Sequence, residues 1–433
     1  MRSPKFRAIK HTVGLLLPLS LKRKIYERLN EARYKKLVDA KQRFRSRPPD
    51  STIPRGVNLV GYIRAESGLG AAARGMASAL ESAGVPFNII NLESGNYSRH
   101  TDHSWSHKEA LNSNYDITVV CVNPDQSFHL RSHVPPKLLS ERYVIGYWFW
   151  ELPELPDEWL ADFAFTDEVW AASQFIRDAV SRKSAVTVPV VPIPPVVRLN
   201  QTKTLSRKEL GLPERRFLFL AMFDTRSVLQ RKNPLGVLRA FKAAFAGDSL
   251  NVALVMNFNN HDDNDPVFQE LRAEIGSDDN VIVLDAPTDR DRITSLINAC
   301  DCFVSLHRSE GFGLGPAEAM SLGKPAIITN WSGNTDYMTA DNCLPVDYAL
   351  VQLGRDYGPY KAHQHWAEPD LQQAAHWMKK IAHDPHLAKR IGARARETIA
   401  SNFSPETVGE KIQARLEEIR IKRTDRNTKH VVS

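Results

Sequence analysis

The chain has 433 residues, 42% hydrophobic and 25% charged, which excludes wholesale disorder and leaves room for two ordinary domains. No run reaches the roughly 20 apolar residues of a membrane span; Val13 to Leu21 is cut by Pro18, followed at once by Lys22, Arg23 and Lys24, and lacks a signal-peptide cleavage site. The net charge of +7 is uneven: the first fifty residues hold 15 Lys+Arg against 4 Asp+Glu, leaving a slightly acidic remainder.

Residues 1–50 read as a basic amphipathic helical extension, with Ile25, Leu29 and Ala32 at helical spacing and Arg28, Lys35 and Lys36 on the other faces. Such a helix can lie in a membrane interface, so residues 1–47 make an anionic membrane surface a candidate partner. A solvated helix packed on the body is the plainer alternative. Pro48 and Pro49 then break the chain, and residues 56–197 carry a strand at Val57 to Tyr62, a glycine loop and a helix from Ala71 to Ser82. Further strands follow at Phe87 to Leu92, Ile117 to Val122, Tyr143 to Trp148 and Glu168 to Ala171. This is the βαβ pattern of a parallel sheet. The proline-rich run Val186 to Val197 cannot be a central strand and reads as the exit to an interdomain linker.

Residues 198–390 repeat the alternation. Strands fall at Phe217 to Phe223, Val252 to Met256, Val281 to Leu284, Cys302 to Leu306 and Ala326 to Thr329, with helices between them. Helices of residues 391–422 follow, and 423–433 reads as a tail. Two doubly wound α/β domains facing across a cleft place ligands at the carboxyl ends of both sheets. The four cysteines show no disulfide pattern; Cys300 and Cys302 are read in one buried strand as reduced thiols, and a reducing, cytoplasmic compartment follows.

The chemistry concentrates after the fourth of the later strands. Glu310-Gly311-Phe312-Gly313-Leu314-Gly315-Pro316-Ala317-Glu318 joins a strand end to a helix start, with Pro316 in the first turn. Backbone N–H groups of Gly313, Leu314 and Gly315 at a positive helix end suit a phosphate. Glu310 and Glu318, eight residues apart, can accept hydrogen bonds from sugar hydroxyls. Upstream, Arg226 to Pro234 is rich in cations that would stabilise a leaving diphosphate. Arg226, Arg231 and Lys232 are the candidates there. Gly68 and Gly70 could approach a ligand from across the cleft. In Gly146 to Pro153, Trp148 and Trp150 offer ring faces for an acceptor and Glu151 a carboxylate for a hydroxyl or a proton. Asp263-Asn264-Asp265 reads as a solvated acidic turn, and the 14 histidines show no metal spacing, so no metal or other cofactor is expected.

The segment Glu310 to Glu318 resembles the Glu-x7-Glu signature of glycosyltransferase family 4, retaining enzymes of the GT-B fold, and Asn330 to Gly333 also fits that family's donor domain. The aromatic–Glu–Leu–Pro pattern at Trp148 to Pro153, with Gly358 to Tyr360 and Trp366 to Asp370, resembles a subgroup associated with bacterial polysaccharide and O-antigen assembly. The resemblance covers residues 56 to 415; it implies an Arg–Lys pair in the upstream loop, Lys232 with either Arg226 or Arg231, and a last helix that crosses back to the first domain. It implies that Glu310 contacts the transferred sugar, Glu318 the ribose, and the Phe312 to Gly315 backbone the sugar and diphosphate. The histidine that many family members carry near Trp148 is absent from that motif, so its role does not transfer. The expectation is a metal-independent hexosyltransferase, mannosyl-like, moving a unit from a nucleotide-sugar donor to a glycan or lipid-linked acceptor, peripheral to the inner face of the membrane and without a nucleic-acid partner. The alternatives are a nucleotide-sugar epimerase or hydrolase of the same fold, and a non-catalytic protein whose basic head binds nucleic acid.

Overall fold

A computed structural model of the chain describes residues 19–110, 114–183, 187–198, 204–247, 251–260, 263–285 and 290–431. Two six-stranded sheets, both wholly parallel, form the two halves. In the first, β1 (Val57–Gly61), β2 (Phe87–Asn91), β3 (Ile117–Cys121), β4 (Tyr143–Trp148), β5 (Glu168–Ala171) and β6 (Val190–Pro192) lie in the order β2-β1-β3-β4-β5-β6. β1, β3 and β5 are buried along their whole length, as a parallel sheet covered on both faces requires. β6 falls inside the run read as a linker. It pairs with β5 alone, and an edge position tolerates the missing N–H of Pro192.

The second sheet holds β7 (Phe217–Asp224), β8 (Val252–Asn259), β9 (Val281–Leu284), β10 (Cys302–Ser305), β11 (Ala326–Thr329) and β12 (Leu344–Val346) in the order β12-β11-β10-β7-β8-β9. The order reverses between β7 and β10, which pair directly. Loops leaving the carboxyl ends of those two strands diverge to opposite faces and open a crevice there. Cys300 lies before β10 rather than inside it, and all four cysteines are free and buried.

Helix α1 (Leu19–Arg45) is docked rather than free along its second half. Leu37 is buried against the first sheet's outer cluster. Lys41, fully buried, donates to the Arg142 carbonyl at 2.5 Å and pairs with Asp167; burial pulls its ammonium down to about 8 against the pull of that carboxylate. Arg45 adds a 2.8 Å bond to Asp167, and Tyr34 donates to the Ala161 carbonyl at 2.6 Å. Residues 1–18, including Val13 to Leu17 of the amphipathic reading, lie outside the described residues.

Two further features depart from the sequence reading. β13 (Tyr348–Gln352) and β14 (His365–Pro369) form an antiparallel ribbon between β12 and α11 (Leu371–His383). Its Leu353, Tyr360 and Trp366 are buried in the core of the first domain, beside Trp150 and Trp159. Helix α12 (Pro385–Phe403) stays with the second domain through Ala395, Ile399 and Phe403. The crossing therefore begins at Pro405, and α13 (Pro405–Val431) is continuous through the segment expected to be a tail. Val408, Ile412, Leu416 and Ile419 bury its inner face in the first domain. Arg415 holds the fully buried Glu168 bidentately, at 2.9 and 2.7 Å, a geometry that fixes direction as well as charge.

Candidate active site at the domain interface

A cavity of about 480 Å³ opens where the two sheets' carboxyl ends meet. On the second domain's side, β7 ends in a short loop and a single helical turn, α6 (Leu229–Lys232). Asn233 stops that turn in the left-handed conformation (φ 57°) and caps α7 (Pro234–Phe245), its Oδ1 accepting from the Gly236 N–H at 3.1 Å. Its amide also donates to the Leu306 carbonyl at 2.9 Å, tying the β7 loop to the β10 loop. Arg231 and Lys232 are thereby fixed over Glu310, which follows β10.

Glu310 is the centre of the charge cluster. Lys232 Nζ donates to its Oε1, and Arg231 stands 3.3 Å from its Oε2. Burial alone would raise the carboxyl's pKa, but Lys232 and Arg231 prevail and hold it at about 2, so Glu310 is ionised across the ordinary pH range. Arg231 is itself buried and donates to the Ser309 carbonyl at 2.6 Å. Burial opposes its charge, yet Tyr360, Glu310 and Glu151 raise its pKa, so it stays a cation. Between the two arginine candidates, Arg231 shares Glu310 with Lys232, while Arg226 sits exposed on the cavity wall.

The backbone of Glu310 is clamped from both sides. Its N–H donates to Ser332 Oγ at 2.8 Å, and its carbonyl accepts from the Gly333 N–H at 2.9 Å. Ser332 adopts φ 76°, ψ −152°, a region nearly reserved for glycine, so strain is held at this contact. Gly333 is required for a different reason: a Cβ there would lie 1.9 Å from the Gly311 carbonyl oxygen. Behind the clamp, His307 is fully buried, 2.9 Å from Asn334 Oδ1 and 3.0 Å from Ser305 Oγ. Burial lowers its pKa and keeps the ring neutral. The sequence reading quoted Ser332 and Gly333 without this role and passed over His307 and Asn334. A serine–glycine pair directly after β11, at the same sheet edge, was the available signal.

Helix α10 (Leu314–Ser321) starts on Gly313 in the left-handed conformation (φ 83°). A side chain on Gly313 would meet the Tyr337 hydroxyl at 2.7 Å. Gly313, Leu314 and Gly315 all line the cavity, at a helix end whose first N–H groups have no intrahelical acceptor. Phe312 contributes backbone only, because its ring is buried against Tyr337 and Phe403. Glu318 does not line the cavity; it is buried and paired with Arg290 of α9 (Arg290–Ala299).

From the first domain, Glu151 reaches the cluster. Its Oε2 accepts from the Tyr360 hydroxyl at 3.0 Å, and its Oε1 is 4.0 Å from Arg231. Trp148 and Trp150, expected to face an acceptor, do neither. Both are 2% exposed; Trp148 packs edge-on against Trp159 and Phe163, and Trp150 against Trp159 and Tyr360, with its indole N–H on the Glu154 carbonyl at 2.8 Å. The cavity is lined by the residue between them, Phe149. Its N–H and carbonyl are held by the Asn123 side-chain amide, each at 2.9 Å. Gly68 opens onto the cavity at the start of α2 (Gly68–Ser82), three residues before the expected helix start. Gly70 does not; a Cβ there would lie 2.0 Å from the Ala65 carbonyl, so glycine serves the loop's own packing. Asp263 and Asp265 are remote, and Asp265 caps α8 (Pro266–Ile275) by accepting from the Val267 N–H at 2.8 Å. Among the described residues no three His, Cys, Asp or Glu side chains cluster as metal ligands, and no helix is long and apolar enough to cross a membrane.

Residues 203–347 match the family of glycosyl transferases group 1. The human alpha-1,3/1,6-mannosyltransferase ALG2 is 25% identical over 148 residues, 34% of this chain and 30% of that protein's length. Among solved structures, HepE of Anabaena, in complex with UDP and glucose, superposes with a TM-score of 0.60 at 14% identity, covering 84% of this chain and 99% of that one. Sucrose-phosphate synthase of Thermosynechococcus elongatus gives 0.61 at 15% identity, with 84% and 99% covered. A glycosyltransferase of Rickettsia africae gives 0.60 at 15%, with 84% and 98%. The fold is GT-B, and the stretch that matches the glycosyl transferases group 1 family lies in its second half.

Proposed function

We propose that the protein transfers a hexosyl unit, mannosyl-like, from a nucleotide-sugar donor to a glycan or lipid-linked glycan acceptor, with retention at the anomeric carbon. The observation that carries this reading is the ionised Glu310, clamped by Ser332 and Gly333 and flanked by Lys232 and Arg231 beneath the N-terminus of α10. The donor's diphosphate lies against Gly313 to Gly315 and the two cations, which meet the charge developing as the sugar–phosphate bond breaks. Glu310 accepts hydroxyls of the transferred sugar. The acceptor hydroxyl attacks on the face the diphosphate leaves, and a leaving phosphate oxygen takes its proton. Glu318, buried outside the cavity lining and paired with Arg290, is given no donor contact in this reading.

The likeness to a mannosyltransferase supports the sugar class, and the UDP and glucose of the Anabaena neighbour support a nucleotide-sugar ligand. With two fixed cations at the diphosphate we propose no role for a metal; turnover that persists in EDTA checks this. The decisive assay is a thermal-shift screen of nucleotide sugars, since a bound donor raises stability by mass action, followed by product analysis. Transfer requires an acceptor, whereas turnover without one would point to an epimerase or hydrolase.

Four buried free cysteines support a reducing, cytoplasmic setting. Exposed Arg28, Arg33, Lys35 and Lys36 on α1 support contact with an anionic leaflet bearing the acceptor. Replacing Arg28, Arg33, Lys35 and Lys36 with serine, which spares the docked Leu37, Lys41 and Arg45, should abolish binding to vesicles containing phosphatidylglycerol. Unchanged binding would discard the membrane partner.

A further inference from the structure

We propose that the first domain's wall of the cavity recognises an uncharged pyranose ring of the acceptor, and that Tyr97 is the platform on which that ring stacks. The inference rests on the donor reading above and extends it to the acceptor's chemical class.

Tyr97 follows β2, on a loop that is braced everywhere except at its own side chain. Ser94 Oγ is 2.7 Å from His129 Nδ1, and the Tyr62 hydroxyl donates to the Ser94 carbonyl at 3.1 Å. Gly95 (φ 95°) has no room for a Cβ, which would fall 2.6 Å from Gln126 Oε1 and 2.8 Å from the Tyr62 hydroxyl. The Asn96 amide donates to Ser67 Oγ at 3.2 Å, linking the loop to the cap of α2, and its Oδ1 accepts from the Ser98 N–H at 2.9 Å. Arg99 closes the loop on Glu66 at 2.5 Å. On this fixed backbone the Tyr97 side chain is 91% exposed at the cavity wall. A single exposed tyrosine means little by itself. Its position across the cavity from the charge cluster gives it a use.

Apart from Glu151, the wall around it is uncharged. Ser67, Asn96, Ser98 and Asn123 supply hydroxyls and amides, Phe149 a second ring, and the carboxylate of Glu151 is already engaged by Tyr360. Among the described residues, no lysine or arginine of the first domain lines the cavity. A phosphorylated acceptor would meet no cation on this side, whereas an uncharged ring presents C–H groups to an aromatic face and hydroxyls to amides.

The test uses the full chain, the nucleotide sugar that most stabilises the wild type, and p-nitrophenyl α-hexopyranosides of mannose, glucose and galactose as acceptors, with mannose 6-phosphate as the charged counterpart. Tyr97→Ala should raise the acceptor KM roughly three- to tenfold while leaving donor KM and donor-induced thermal shift unchanged. Tyr97→Phe should behave as wild type, and the phosphorylated sugar should be the poorer acceptor. An unaltered acceptor KM in Tyr97→Ala, a lost donor shift, or preference for mannose 6-phosphate overturns the assignment. Donor protection without transfer to any of the glycosides overturns it alone; absence of protection by every nucleotide sugar brings down the donor reading and this inference together.

Discussion

The two walls of the cavity differ in kind. The second domain contributes Arg226, Arg231, Lys232 and Glu310 and an open helix end, all carried by the two strands between which the sheet order reverses. The first domain contributes rings, hydroxyls and amides, apart from Glu151. The charged wall is also the more strained one, with Ser332 and Asn233 both at positive φ beside it. Charge must be fixed before a reaction if it is to stabilise a transition state without reorganising. Recognition of a neutral ring has no such requirement, and braced loops suffice.

Four substitutions or conditions would break or sharpen this contrast, beginning with the largest effect. Trp150 stands behind the neutral wall as core, so Trp150→Ala should cost about 3–5 kcal/mol of stability in urea unfolding. Retained stability with a raised acceptor KM would instead restore it to the wall. Lys232→Ala should lower kcat by about 10²–10³-fold with the fold intact by circular dichroism. A loss confined to donor KM would show that the cation binds both states equally. Ser332→Gly relieves the backbone but leaves the Glu310 N–H without its acceptor, an effect of about 1–3 kcal/mol. We expect it to appear in kcat rather than in donor affinity; wild-type kinetics would remove the clamp from the catalytic argument.

The last condition concerns pH and shows only in acid. Glu310 is held at about 2 in the folded protein against about 4.3 in an unfolded chain. The stability it contributes is therefore complete above the unfolded value and lost as pH falls from there toward 2. Glu310→Gln should flatten the melting-temperature profile in that acidic window and leave it parallel to wild type near neutrality. Divergence near pH 7 would mean that the carboxylate titrates there, contrary to its pairing with Lys232 and Arg231.

Much of the donor side was legible because its signals are local. A strand, glycines at Gly311, Gly313 and Gly315, and a proline in the next turn specify a loop and a helix end within ten residues. Lys232 was named because cations crowd the stretch Arg226 to Pro234 and the resemblance expects a lysine there, with its arginine partner left open between Arg226 and Arg231. Trp148 and Trp150 were misplaced because alternation along a strand end leaves open which parity faces the cavity. Packing against Trp159, and against Tyr360 from the distant ribbon, settles it. Gly70 was misread because its requirement comes from the Ala65 carbonyl folding back on it.

The sequence by itself determined the two α/β halves, the charged loop and the glycine-rich helix start, because periodicity and turn chemistry act over a few residues. Only the tertiary structure decided that Arg231 rather than Arg226 joins Lys232 on Glu310, that Ser332 and Gly333 hold that glutamate, and that Phe149 and Tyr97 line the opposite wall. Those are meetings between segments from about 20 to more than 150 residues apart. Burial and the geometry of sheet reversal bring them together, and no local pattern encodes them.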